Sequence, residues 1–135
     1  MATPFPFVAS AVLTAAQLNS IGERITYTPA VISVSGTITT VGAVSCNYIR
    51  VQNLVVVEFN ITITTIGTAG GGIVFDLPLT ANTNLMGAGV GRESLSAAPL
   101  FVWHSTTQAQ IQKYDGTFSG GNGYQFVGIL TYGAA

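Results

Sequence analysis

Residues Tyr48–Thr64 read YIRVQNLVVVEFNITIT. From Val55 onward every second residue is large and apolar: Val55, Val57, Phe59, Ile61 and Ile63. The positions between them, Glu58, Asn60, Thr62 and Thr64, are polar, with Val56 the one exception. A side-chain period of two marks a strand with one face in a core and the other toward water or a partner. Tyr48, Ile49, Arg50 and Val51 are placed to pair back on this strand through a tight turn at Gln52-Asn53, since asparagine tolerates the left-handed backbone that such turns need. The stretch predicts a central β-hairpin sandwiched by the remaining strands.

The composition around it agrees with a β domain and narrows its company. A chain of 135 residues and 14.0 kDa makes one domain with at most a short appendage. Hydrophobic residues make up 48% of it and charged residues only 7%, against roughly a quarter charged in an ordinary soluble domain. The mean hydropathy of +0.53 would suit a membrane protein. No stretch, however, offers the roughly 18 uninterrupted apolar residues of a spanning helix. Val, Ile, Ala and Phe are instead broken at short intervals by Thr, Ser, Asn and Gly, which is strand and turn material. A formal net charge of -1 provides no electrostatic footprint for a nucleic acid or an anionic membrane. So few charges favour self-association, and obligate interfaces are the more hydrophobic kind. The composition therefore predicts an obligate oligomer with uncharged faces buried against sister subunits or a larger assembly.

Cys46 is the only cysteine, so no intrachain disulfide and no cysteine zinc cluster can form. The opening MATPFPFVASAVLTAA has no Lys or Arg before its apolar run and carries Pro4 and Pro6 early, so no signal peptide is expected. Asn60-Ile61-Thr62 matches a glycosylation sequon, which has no meaning without secretion.

Residues 1–25 read as an anchoring segment. Pro4 and Pro6 hold residues 1–12 extended, and Phe5, Phe7 and Val8 have nothing local to bury against. Such a stretch docks on its own domain or inserts into a neighbour. Thr14 and Gln17 then form a Thr-x-x-Gln capping box, with Leu13 and Leu18 spaced as its hydrophobic staple. Leu18, Ile21 and Ile25 continue one apolar stripe, ended by Gly22 and Thr26-Tyr27-Thr28-Pro29. This predicts a short helix over about Thr14–Glu23 that must pack on something, most simply at a subunit junction. Phe5, Phe7, Leu18, Ile21 and Ile25 are the anchoring candidates.

Residues 26–135 read as strands and turns. Val31–Val34 and Thr37–Val41 flank Ser35-Gly36, and the hairpin follows. Thr68–Gly72 reads as a flexible loop and Ile73–Leu79 as a strand closed by Pro78. Gly87, Gly89 and Gly91 suggest a bulged strand with close backbone approach. Leu100–His104 and Ala109–Lys113 form a further pair, Asp115-Gly116 a turn, and Tyr124–Tyr132 a closing strand. Short strands at regular spacing predict an all-β fold, an antiparallel sandwich or jelly roll preceded by an extended arm and one short helix.

Convergent catalytic groups are not visible in the sequence. His104 is the single histidine, and Glu23, Glu58, Asp76, Glu93 and Asp115 are scattered. Ser105, His104 and Asp115 allow a triad on paper, but adjacent residues of a strand point to opposite faces. One histidine falls short of the ligand set a zinc site wants, although three copies of His104 on a trimer axis would gather an ion. Thr68–Gly72 lacks the Lys-Ser/Thr and the helix of a phosphate loop. Neither an enzyme nor a cofactor is expected. Trp103, Tyr114, Phe118, Tyr124 and Phe126 cluster in the last third. Trp103, Tyr114 and Phe118 are the candidates for outward contact, where aromatic rings stack on sugars, and core packing is the competing fate.

Four phrases stand out: Val12–Asn19 (VLTAAQLN), Tyr27-Thr28-Pro29, the pattern of Tyr48, Arg50, Asn53, Leu54, Val55 and Val57, and Leu77–Ala81 (LPLTA). After an opening Pro/Phe segment, this succession resembles small structural proteins of tailed bacteriophages, found in minor tail, fibre and surface proteins. The resemblance covers the N-terminal segment and about the first half of the β domain, and its motifs are structural. It implies a virion component assembled in the host cytoplasm, commonly a homotrimer, with an N-terminal anchor and an outward β domain. Its partners would be itself, other virion proteins and a host surface glycan. A decoration or cement protein on the phage head follows closely as an alternative. A soluble carbohydrate-binding module using Trp103 is a third reading, and a small hydrolase is disfavoured by the residue inventory.

Overall fold

The computed structural model describes residues 12, 14–16, 21–84 and 87–135. Nine strands run through them: β1 (Arg24–Tyr27), β2 (Val31–Ser35), β3 (Thr40–Val51), β4 (Leu54–Thr65), β5 (Gly70–Asp76), β6 (Ala88–Glu93), β7 (Pro99–His104), β8 (Gln108–Lys113) and β9 (Tyr124–Gly133). They form one nine-stranded sheet in the order β1-β3-β4-β9-β6-β7-β8-β5-β2, with every pairing antiparallel. The all-β antiparallel expectation holds. Its two layers come from one sheet curling on itself as a half-barrel.

The hairpin is as the alternation predicts, and longer. Val55, Val57, Phe59, Ile61 and Ile63 are all buried, whereas Val56, Glu58, Asn60 and Thr62 face outward. Val51 pairs with Leu54, so Gln52 and Asn53 make the turn. The left-handed residue is Gln52, at φ 55, and not the asparagine. A non-glycine residue there carries strain of order 1 kcal/mol. Gln52→Gly relieves that strain but returns about 0.4–1 kcal/mol of conformational entropy to the unfolded chain, so stability is expected to rise by no more than about 0.5 kcal/mol, seen in the thermal midpoint. The hydrogen bond from Arg50 Nε uses the backbone oxygen of Gln52, at 2.7 Å, and survives the change.

The inner face of the curl is the core. Phe59 of β4 meets Phe75 of β5 at 5.2 Å between ring centroids, although four strands separate β4 from β5 in the sheet. Glycine makes room for Phe59. A Cβ on Gly128 would lie 2.5 Å from its Cζ and 2.5 Å from the Val90 carbonyl oxygen. A Cβ on Gly89 would lie 2.2 Å from the Ile129 oxygen. The close backbone approach expected around Gly87–Gly91 is thus real, but β6 pairs in unbroken register with both β7 and β9 and has no bulge.

Several local expectations are corrected by non-local pairing. Val31–Val34 does not pair with Thr37–Val41. β2 pairs with β5, and Thr37–Thr39 is a connection whose backbone bonds go to Thr65 and Thr68. Gly70–Gly72, read as loop, is paired as the start of β5, with Gly70 opposite Ser35. Of the helix expected over Thr14–Glu23, Leu18 and its neighbours lie outside the described residues, as do Phe5 and Phe7. Ile21 and Gly22 form a turn, with Gly22 at φ 74, a conformation in which helices commonly end. Ile25, assigned to the helical stripe, lies instead in β1 opposite Tyr48 and is exposed.

Candidate functional site

The groups a Ser105–His104–Asp115 triad would need are engaged in structural contacts. His104 accepts a hydrogen bond at Nε2 from the Gly87 amide at 2.8 Å, and its Nδ1 lies 2.9 Å from the Ser105 carbonyl oxygen. A neutral ring protonated on Nδ1 satisfies both contacts, which leaves no nitrogen for a proton relay or an ion. The ring is buried against Tyr132, 5.5 Å away. Asp115 caps its own turn, accepting from the Thr117 hydroxyl at 2.6 Å and the Thr117 amide at 2.9 Å. Those two bonds hold its carboxyl below the usual carboxylate range. Ser105, His104 and Asp115 are therefore not assembled. Among the described residues no group of three His, Cys, Asp or Glu gathers to hold a metal.

Glu93 was only one of the scattered acids in the sequence, and the structure gives it a defined task. It ends β6 with no solvent exposure, sealed beneath the loop that follows it. Its carboxylate accepts from the Leu95 amide at 2.7 Å, the Ser96 amide at 2.6 Å and the Ser96 hydroxyl at 2.5 Å. Burial works against its ionisation, but these three donors outweigh it and hold its pKa below the ordinary glutamate value. Glu93 is a clamp for the loop through Ala97, a residue that itself sits at φ 53.

Cys46 is fully buried, and burial pushes its thiol up to about 11, so it stays protonated and unreactive. Burial also raises Tyr27 far above the ordinary phenol value, with the Cys46 thiol adding to the effect. The Tyr27 hydroxyl is buried and has no hydrogen-bond partner among the described residues.

The outer face of the curl has a different chemistry. Register places Val90 of β6 opposite Phe101 of β7 on one side and Ile129 of β9 on the other. These three are 55%, 37% and 40% exposed, and Val127 beside them is 40% exposed. The row is thus apolar and solvent-facing across three adjacent strands. It ends at Glu58, opposite Ile129, whose charge is matched by Arg24.

The outward aromatic candidates divide. Tyr114 is 66% exposed and extends the row, its ring 6.3 Å from Phe101. Trp103, two residues from Phe101 on the same strand face, is half-buried and lines a shallow depression of about 320 Å³ with Ile32, Val74, Ser105, Gln108 and Gln110. Phe118 is half-buried and packs on the core cluster, as Tyr124 does, while Phe126 belongs to that cluster. Ile21 and Ile25 are exposed beside the first strand. Nothing local marks the row itself, because Val90, Phe101 and Ile129 belong to separate segments that only strand pairing brings together.

No protein-family model, no curated protein and no solved structure matches this chain.

Proposed function

We propose that this protein is a structural component of a bacteriophage virion, a self-associating building block of the tail or fibre type. It works as a homotrimer that docks through residues 1–25 and turns its β domain outward. The observation that carries the reading is the solvent-facing row of Phe101, Val90 and Ile129 on a chain with 7% charged residues. A contiguous apolar patch of this kind marks an interaction surface, and few charges oppose its burial. The phrases at Val12–Asn19, Tyr27-Thr28-Pro29 and Leu77–Ala81 supply the resemblance to phage structural proteins.

The breadth of the sparsely charged outer face favours a second placement, as a decoration protein clamping neighbouring shell subunits on the phage head. Trp103 beside Gln108 and Gln110 offers either assembly a place to stack a neutral sugar of the host surface.

Two measurements test the proposal. Sedimentation equilibrium at micromolar concentration is expected to give three times the 14.0 kDa chain mass, and a stable monomer would overturn the building-block reading. Electron cryomicroscopy of purified particles is expected to find the chain on the tail. Density on the shell would select decoration, and absence from particles would reject both placements.

A further inference from the structure

The two ends of the sheet, β1 and β2, are consecutive in the chain and joined only by Thr28–Ala30. A link of that length spans at most about 14 Å, so the curled sheet brings its own ends together along a seam. The core is incompletely covered along the seam. Tyr27, Val31, Ile38, Val41 and Val44, all from the segments bordering it, touch the core but are only partly buried. β2 carries no charge, and Ile32 and Val34 on it are 50% and 53% exposed. Among the described residues β2 pairs with β5 alone.

The direction of its free backbone groups follows from one bond. The Asp76 amide donates to the Ala30 oxygen at 3.2 Å, so Ala30, and by alternation Ile32, face β5. Val31 and Ser33 therefore turn their N–H and C=O groups to the seam. An uncharged edge of this kind is a template for another strand.

Residues 4–8, Pro-Phe-Pro-Phe-Val, have the complementary pattern. In an extended chain, successive residues turn their backbone groups to opposite edges. Pro4 and Pro6 then face the same edge and have no N–H, while Phe5 and Phe7 present complete donor and acceptor pairs on the other. Such a strand pairs along one edge only, as an end strand should. Phe5 and Phe7 also share one side-chain face.

We infer that residues 4–8 of one copy add antiparallel to β2 of a neighbouring copy, with Phe5 opposite Ser33 and Phe7 opposite Val31. Both contacts are hydrogen-bonded pairs, and Pro6 falls opposite Ile32, whose groups are already committed to β5. The two rings lie on the face of Val31, the core side, and fill the seam. Thirteen Cα steps separate Val8 from Ile21, about 30 Å with residues 14–21 helical as the sequence predicts, which lets the arm reach a neighbour. An arm entering the next copy's edge is a head-to-tail contact, the kind that closes into rings such as a trimer. The inference rests on the self-association proposed above and names its chemistry.

Ser33→Pro removes the edge N–H without touching the β5 ladder, and it asks of Ile32 only the extended backbone it already has. This variant and a deletion of residues 2–11 are expected to keep the wild-type circular dichroism spectrum and sediment as monomers. In a Cys46→Ser background, Phe5→Cys with Ser33→Cys sets two thiols on a hydrogen-bonded pair about 5.5 Å apart at Cα, a disulfide distance. Oxidation is expected to give covalently linked oligomers on a non-reducing gel. A disulfide confined to monomers, or none, overturns the inference. If both truncated and Ser33→Pro proteins remain oligomeric, the arm pairing fails and self-association stands. If the wild type is itself a monomer, both fall.

Discussion

Replacing Phe59 with alanine is expected to cost about 3–5 kcal/mol, the largest loss from any single core truncation in this fold. Phe59 is 2% exposed and sits where the two arms of the curled sheet meet, its ring 5.2 Å from that of Phe75. Its other side lies over Gly128 and Gly91, whose missing side chains leave nothing that can swing in to fill the space. Truncation would therefore leave a cavity bounded by backbone on one side, and backbone in a paired sheet relaxes little. At about 4 °C per kcal/mol for a domain of this size, the thermal midpoint is expected to fall by roughly 12–20 °C. Phe59→Leu, which keeps most of the volume, is expected to lose about 1–2 kcal/mol. Denaturant unfolding followed by circular dichroism measures both. A loss below 1 kcal/mol for the alanine variant would mean that the two arms are held together elsewhere.

Glu93→Ala is expected to lose about 2–3 kcal/mol and to change the pH dependence of stability. Truncation strands the Leu95 and Ser96 amides and the Ser96 hydroxyl, which now all converge on the carboxylate. The sign of the pH effect follows from the direction of the shift. The folded-state pKa lies below the ordinary value, so the ionised form is favoured by folding. Its contribution is fully present above the unfolded glutamate pKa of about 4.3 and is lost as pH falls through the lower folded value. Wild-type protein should therefore lose stability on acidification below about pH 4.3, and Glu93→Gln should flatten that part of the curve. Thermal midpoints from pH 2.5 to 7 for the two proteins test this. Parallel curves would show that the acid dependence comes from other carboxylates.

These two residues also show how far sequence reading reaches. Phe59 was legible: it stands in an alternating run, and alternation states which face a side chain takes. That it would meet Phe75 was not legible, because the contact depends on a curl spanning β4 to β5. Glu93 gave no local sign. Its significance comes from a loop that folds back over it, and the two serines and the leucine that follow carry no recognisable turn signature. Phe118 illustrates the reverse error: an aromatic beside glycine-rich loops looked outward-facing, and the closing of Gly120 and Ile66 over it made it part of the core rim. Gly70–Gly72 looked like a flexible loop because glycine is a poor strand former, and pairing with β2 and contact with Gln112 overrode that preference.

Within single segments, then, the sequence by itself determined the all-β class, the buried face of β4, the place of the hairpin turn and the β7–β8 pair. Each of these is a property of a few consecutive residues and needs no knowledge of what lies opposite. Only the tertiary structure decided that β2 pairs with β5, that β9 lies between β4 and β6, and that the two ends of the sheet meet at a seam. Partners are chosen by which strands can bury their apolar faces at the same time, and that condition involves the whole chain at once.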